Sequence, residues 1–290
     1  MPELPEVETI ARGLHGRVAG DVIESVWLGS KPEPLKSPAR EIVAALESKR
    51  IAGVRRVGKH IVFDLENGTQ SASVKSNAKH KRARARKSAP ASGKAQWLVH
   101  LGMTGRMLVC SPGAEIEKHT HAIARLASGK ELRFVDPRRF GRLSVTHGFE
   151  APGSEPLDVQ LVQFVDIFCG RKTPIKSALL NQKLLSGVGN IYADESLFRA
   201  GIRPRRRAAS LTREQLGRLH QAVQEVLKEA IALGGSSISD YVDSDGEEGF
   251  FQLQHRVYGR EGEPCLVCGT PVKRIVIAGR SAHYCPKCQK

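Results

Sequence analysis

The sequence predicts an α+β chain built from several domains, and three observations carry that prediction. Ahead of residue 150, short β-branched or aromatic segments recur between Gly and Asn. Beyond it, apolar residues return every three or four positions. The last 26 residues carry Cys265-x2-Cys268 and Cys285-x2-Cys288. At 290 residues the chain exceeds one ordinary domain of about 150. The composition break Glu150-Ala-Pro-Gly-Ser-Glu-Pro156 divides it. The expected parts are 1–150, 151–263 and 264–290.

The first part opens with a helix over about residues 3–19, because Val7, Ile10, Leu14 and Val18 fall on one stripe. Ile61-Val-Phe-Asp-Leu65, Gln96-Trp-Leu-Val-His-Leu101 and Glu131-Leu-Arg-Phe-Val135 read as strands. From Asn67 to about Ala95 there is no acid, and eight Lys or Arg lie between Lys75 and Lys94. That stretch, about 68–95, is expected to be disordered. Two readings of it stand: a solvated loop between strands, or an arm that binds phosphates nonspecifically. The clearest helix runs over about 213–233, with Leu216, Leu219, Val223, Val226, Leu227, Ala230 and Ile231 in register. Thr212 and Gln215 form a capping box at its start, and Gly234-Gly235 stop it.

In the third part, sixteen residues separate the cysteine pairs, a spacing suited to one tetrahedral zinc with no open position. The zinc is therefore structural, since a hairpin this small holds no core without it. Lys273, Arg274 and Arg280 lie between the pairs and face a partner with cations. Cys110 and Cys169 lie far apart and read as small buried residues in a reducing compartment.

The balance of 45 Lys+Arg against 30 Asp+Glu gives +15, a field that attracts polyanions. Without the eight charges of the basic stretch the remainder is still near +7. A membrane surface would be attracted too, yet no run of about 18 apolar residues exists. The start MPELPEVETI has acids where a signal peptide is basic and then apolar. A soluble, cytoplasmic, nucleic-acid-binding protein is expected.

A chain beginning Met1-Pro2 is expected to lose its methionine and expose a secondary amine. An α-amino group has a pKa near about 8, so part of it is an unprotonated nucleophile at neutral pH, able to attack a sugar C1′. Met-Pro starts are common, and those two residues alone decide nothing. Paired carboxylates beside such an amine make chemical sense: one protonates a sugar oxygen while the other orients the amine or a water. Acids at a helix N-terminus are also ordinary dipole complements, which suffices for Glu8.

The whole string Pro2-Glu3-Leu4-Pro5-Glu6-Val7-Glu8-Thr9, with later motifs, resembles the formamidopyrimidine-DNA glycosylase family, bacterial base-excision enzymes that remove oxidised purines and cut the strand. The likeness runs from residue 1 to 290, interrupted only by the basic stretch. It implies a helix plus β-sandwich domain, a helix-two-turns-helix domain and a C-terminal zinc-finger β-hairpin. It also implies Pro2 as Schiff-base nucleophile, Glu3 as the acid that opens the deoxyribose, and Glu6 in support. Lys59, in Arg55-Arg-Val-Gly-Lys59-His-Ile, falls where the family keeps a lysine that assists β-elimination. Met103 in His100-Leu-Gly-Met103-Thr-Gly resembles a side chain inserted into the gap left by an extruded base. In Asp136-Pro-Arg138-Arg139-Phe140-Gly141 the family's Arg138 faces the orphaned cytosine and Phe140 wedges the step, as base flipping requires.

By the same resemblance His119, in Glu117-Lys-His119-Thr-His121, touches the DNA backbone. Arg171 and Lys176, in Gly170-Arg171-Lys172-Thr-Pro-Ile-Lys176, and Asn190, in Gly187-Val-Gly189-Asn190, contact phosphates near the lesion. Arg280, in Gly279-Arg280-Ser-Ala-His-Tyr-Cys285, sits at the hairpin tip and joins the final elimination. The implied protein is a monomer on damaged double-stranded DNA, in the bacterial cytoplasm at the nucleoid, with one structural Zn2+ and no catalytic metal or redox cofactor. Two alternatives remain: an endonuclease VIII-type enzyme for oxidised pyrimidines, and a noncatalytic zinc-containing nucleic-acid-binding protein. The Leu4-to-Thr9 start, Met103, Phe140 and the Ser236-to-Phe251 loop favour the purine enzyme, while Pro2, Glu3 and Lys59 together argue against a mere binder.

The basic stretch departs from the family pattern, and a flexible loop between strands is tolerated thermodynamically. Deleting residues 70–94 is expected to lower the slope of log affinity against log salt and leave single-turnover excision nearly unchanged. Salt titrations of both forms on one duplex check this; an unchanged slope removes the phosphate-arm reading.

Overall fold

A computed structural model of the chain describes residues 1–68, 94–237 and 249–290. Most of the basic stretch and the middle of the Ser236-to-Phe251 loop lie outside the described residues. In order come α1 (Leu4–Val18), β1 (Ile23–Leu28), α2 (Ala39–Leu46), β2 (Lys49–Val57), β3 (His60–Asn67), β4 (Ala95–His100), β5 (Arg106–Cys110), β6 (Thr120–Leu126), β7 (Glu131–Val135) and β8 (Arg142–His147). Then follow α3 (Leu161–Phe168), α4 (Ile175–Leu179), α5 (Asn190–Arg199), α6 (Arg213–Ala232), β9 (Lys273–Ile277) and β10 (Arg280–Tyr284).

The eight N-terminal strands form two antiparallel four-stranded sheets, ordered β1-β6-β7-β5 and β2-β3-β4-β8. Their inner faces bury Ile51, Ile61, Phe63, Trp97, Val99, Leu132 and Phe134, and α1 adds Val7, Ile10, Leu14 and Val18 to the same core. The stripe read from the sequence is thus the face that packs. Leu4, one turn earlier, belongs instead to the core of the helical domain, with Phe164, Tyr192, Leu219 and Phe251. One helix therefore serves two cores, and truncating Leu4 to Ala at such a site costs about 2–5 kcal/mol.

In the helical domain α6 begins where the capping box places it: the Thr212 hydroxyl accepts from Gln215 N–H at 3.2 Å, and Gln215 Oε1 accepts from Thr212 N–H at 3.1 Å. Gly234 and Gly235 end it in the left-handed region, at φ 76° and 85°. The C-terminal module has a core of only Val257, Cys265, Val272 and Cys285, against which Phe198 packs. Cys169 is exposed rather than buried, because α3 ends at Phe168 and the chain turns at the surface; Cys110 is half-buried at the end of β5. Among the described residues no helix is long and apolar enough to cross a membrane.

The two large domains are also joined by charge. Arg56, its side chain only 6% exposed, donates from Nε to Glu8 Oε2 at 2.7 Å and forks onto Glu155 at 2.8 and 2.9 Å. Glu155 stands just beyond the domain break, and Arg56 also donates to the Gly58 carbonyl at 3.3 Å. Glu8, read as a mere dipole complement, is thus also an anchor for this buried cation. Breaking such a trio by removing its cation strands two partly buried carboxylates. Arg56→Met is expected to lower unfolding stability by about 2 kcal/mol, below the fully buried limit because both acids keep some water. Urea unfolding measures it; a loss under about 0.5 kcal/mol would show the trio to be inert.

Candidate active site

A cavity of about 620 Å³ opens between the domains, lined by Pro2, Glu3, Glu6, Lys59, Met103, Asn190 and Arg280, among others. That size suits an organic ligand of moderate bulk. These seven residues come from positions 2 to 280, so the fold, and not local sequence, assembles them.

Glu3 and Glu6 enter on the first turn of α1, and each is at most 4% exposed. The Glu3 side chain fits because residue 189 is glycine: a Cβ there would stand 2.1 Å from Glu3 Cδ. Glu3 Oε1 accepts from Ile191 N–H at 3.2 Å, while buried Oε2 has no hydrogen-bond partner among the described residues. Burial pushes the Glu3 carboxyl up to about 7; Lys59 opposes this and neighbouring Glu6 reinforces it. Glu6 Oε2 accepts from Glu3 N–H at 2.7 Å, and Oε1 accepts from Ser236 N–H at 2.8 Å and from the Tyr192 hydroxyl. Burial also raises Glu6, though these donors favour its charged form.

Lys59 lies in the tight turn between β2 and β3 and is largely taken from water. Burial lowers its ammonium, Glu3 and Glu6 oppose that, and Arg280 adds to it. Two buried acids and Lys59 therefore share one poorly hydrated space, with exposed Arg280 at its edge, and proton positions there respond to small changes in charge. Met1 also lines the cavity and is 48% exposed; Pro2 nitrogen becomes an amine only on its removal.

Met103 and Phe140 stand 41% and 52% exposed on neighbouring loops. The loops are locked together. Gly102 sits at φ 65°, and a Cβ on it would meet the Phe140 carbonyl carbon at 2.5 Å. Fully buried Asp136 accepts from Thr104 Oγ1 at 2.6 Å on one loop, and from Gly141 N–H at 2.7 Å and Arg138 N–H at 3.2 Å on the other. The Arg138 guanidinium lies over the Phe140 ring at 4.9 Å. Exposed His119 joins the same unit through its carbonyl, which accepts from Asp136 N–H at 2.9 Å. Arg138, Phe140 and His119 do not line the cavity.

Lys176 corrects the expectation of a direct phosphate contact. Its side chain is 0% exposed, and Nζ donates to Asp194 Oδ1 at 2.6 Å and to the Ser281 carbonyl. An ammonium buried this deeply needs a carboxylate partner inside the protein and has no face left for DNA. Arg171 is exposed just before α4, away from the cavity lining. Asn190 begins α5, half-buried, with Nδ2 donating to Ser281 Oγ at 3.2 Å and Oδ1 without a partner among the described residues. Arg280 is exposed at the hairpin tip, after the turn at Ala278-Gly279.

Several residues here were not singled out as functional from sequence. His100 lines the cavity, and its Nδ1 accepts from Gly102 N–H at 3.1 Å, which steadies the Met103 turn. Burial, with His60, Arg142 and Lys59 nearby, pushes His100 down to about 4, so it is neutral. Glu195, 3% exposed, accepts from the amides of Arg256, Val257 and Tyr258 at 2.8–3.0 Å and so sets Tyr258 at the cavity wall. The adjacent acids of Asp194-Glu195 on an otherwise packed helix were the available signal.

The four cysteine sulfurs all lie within 4.8 Å of one another, with pairs at 3.5 and 3.9 Å. Tetrahedral Zn–S bonds of about 2.3 Å require sulfurs about 3.8 Å apart, so the donor set fits zinc.

Three family models match in succession: the formamidopyrimidine-DNA glycosylase N-terminal domain over residues 1–143, its H2TH domain over 151–242, and the zinc finger found in FPG and IleRS over 262–290. A formamidopyrimidine-DNA glycosylase of Solibacter usitatus is 40% identical over the full length of both chains. The crystal structure of MutM (Fpg) from Thermus thermophilus superposes with a TM-score of 0.80 at 40% identity, covering 99% of this chain and 98% of that one. A Lactococcus lactis Fpg variant, solved with Fapy-dG containing DNA, gives 0.83 at 30% identity over all of both chains. With three domains in the family order and identity sustained from end to end, the chain belongs to the formamidopyrimidine-DNA glycosylase family.

Proposed function

We propose that the chain is a bifunctional DNA glycosylase and abasic-site lyase that excises oxidised purines, 8-oxoguanine and formamidopyrimidines, from duplex DNA. The observation that carries the reading is Glu3: a buried carboxyl held near pH 7, with a free oxygen, beside Pro2 and Lys59 in an interdomain cavity. A carboxyl so placed is protonated often enough at neutral pH to act as an acid.

Once Met1 is removed, the Pro2 amine attacks C1′ and the bond from C1′ to the damaged base breaks. Glu3 protonates the deoxyribose ring oxygen, opening the ring to an iminium. The iminium acidifies the C2′ protons; loss of one breaks the C3′–O bond, and a second elimination breaks the C5′–O bond. Water then hydrolyses the iminium and frees the amine. Lys59 and Arg280 stabilise the departing phosphates, and Glu6 supports the Pro2 pocket. Met103, Arg138 and Phe140 fill the gap left by the flipped nucleotide, offsetting an unstacking cost of a few kcal/mol, about that of one base step. His119, Arg171 and Asn190 are proposed phosphate contacts. This route is complete without a catalytic metal or redox cofactor. One zinc on Cys265, Cys268, Cys285 and Cys288 is proposed to hold the hairpin, and the working form is a cytoplasmic monomer on damaged DNA.

Borohydride trapping on duplex DNA with 8-oxoguanine opposite cytosine tests the reading. A covalent adduct is expected that needs both the lesion and Pro2, and is lost in Pro2→Gly. Binding with neither adduct nor strand cut, on this or an oxidised-pyrimidine duplex, would leave only a noncatalytic binder.

The raised Glu3 pKa also fixes a sign. The folded state holds this proton up to pH about 7, whereas the unfolded chain releases it near 4.5. The contribution is thus fully present below the lower value and is lost as pH rises through the upper one. Glu3→Gln removes that titration, so its stability relative to the parent is expected to rise by up to about 3 kcal/mol between roughly pH 5 and pH 8. Urea unfolding at both pH values measures this; a pH-independent difference contradicts the buried protonated carboxyl.

A further inference from the structure

We infer that Asp194 is a positioning residue for Arg280: its buried carboxylate, locked to Lys176, fixes where the tip of the zinc hairpin enters the cavity. The inference rests on the proposed part of Arg280 in elimination.

The hairpin is weakly held by itself. Among the described residues β10 pairs with β9 alone, and the module's apolar core is four residues. Its direction must come from the surface on which it lies. That surface is α5, where Asp194, 0% exposed, receives three donors. Lys176 Nζ reaches Oδ1 at 2.6 Å; the backbone N–H of His283 reaches Oδ2 at 2.9 Å; and the His283 ring Nδ1 lies 3.2 Å from Oδ2. Lys176 also donates to the Ser281 carbonyl, and Asn190 Nδ2 to Ser281 Oγ at 3.2 Å. Ser281 and His283 flank one residue of β10, and Arg280 is the residue directly before them. Thus β10 is gripped at two backbone positions within three residues of Arg280. Apolar packing of equal area would hold the strand as firmly yet let it slide; directed hydrogen bonds to one buried carboxylate permit a single register. Lys176 takes its place in the site here, through the strand that bears Arg280.

A double-mutant cycle tests this. The variant K176M/D194L replaces the pair by apolar groups of similar size, so fold and zinc content are expected to survive, as checked by melting and metal analysis. On a duplex with a preformed abasic site its elimination rate is expected to fall by about tenfold to a hundredfold, the scale set by a misplacement of about 1 Å. In an Arg280→Gln background the same pair of changes should cost no more than about twofold. An equal loss in both backgrounds, or no loss in either, overturns the positioning role. If Arg280→Gln alone leaves elimination unchanged, the proposed part of Arg280 fails, and this inference with it; the two failures are therefore distinct. Should K176M/D194L not fold, K176M/D194N, which strands no buried ammonium and keeps an oxygen to accept from the His283 amide, carries the same cycle.

Discussion

Glu3 and Glu6 are removed from water by two hydrophobic cores at once, because the helix that bears them belongs to both. Val7, Ile10 and Leu14 anchor α1 in the β-sandwich, while Leu4 anchors its first turn in the helical domain. Neither domain alone would bury both acids. Without that burial Glu3 would be an ordinary surface carboxylate, ionised at neutral pH and useless as an acid. The close fit at Gly189 leaves the carboxyl nowhere else to go. A seam between domains thus serves as the low-dielectric compartment that catalysis by a carboxylic acid requires.

Every other part of the site is delivered to that seam by a polar anchor of its own. Arg56 ties the β2–β3 turn, and so Lys59, to the linker through Glu155. Asp136 fuses the Met103 and Phe140 loops into one rim, with two oxygens serving three donors. Glu195 holds Tyr258 by three amides, and Asp194 holds the hairpin. In each case one buried polar side chain fixes a backbone segment through directed hydrogen bonds. Such charges are costly to bury, and they appear where register matters more than adhesion.

Much of this was legible in the sequence where the signal is local. The α1 stripe, the Thr212–Gln215 cap and the four-cysteine spacing each depend on residues within a few turns of one another, and each agrees with the structure. The motif string at the start placed Pro2, Glu3 and Glu6 together, and the cavity does the same. What escaped was long-range. Leu4 stood outside the stripe of Val7, Ile10, Leu14 and Val18, and its place in a second core depends on Tyr192 and Phe251. Lys176 carried every mark of a surface cation in a Gly-Arg-Lys loop; only Asp194, 18 residues on, reveals it as buried. Likewise the neighbours of Asp136 and Glu195 do not tell which three backbone or hydroxyl donors converge on each. Periodicity reports which face is buried, but not against what.

The helix that joins the two cores has a consequence for how the molecule is made. It leaves the ribosome first, yet Glu6 meets its partners Tyr192 and Ser236 across separations of 186 and 230 residues. Synthesis proceeds from the N-terminus at about 5–20 residues per second, so α1 waits many seconds with one end of its apolar surface uncovered. The β-sandwich can collapse onto Val7, Ile10 and Leu14 during that interval, while Leu4 and both acids stay in water until α6 and Ser236 beyond it emerge. During that time the nascent chain has no proton-holding Glu3 to offer. The chemistry switches on only when nearly the whole polypeptide exists, and a ribosome-bound fragment, however well its first domain has folded, is chemically silent.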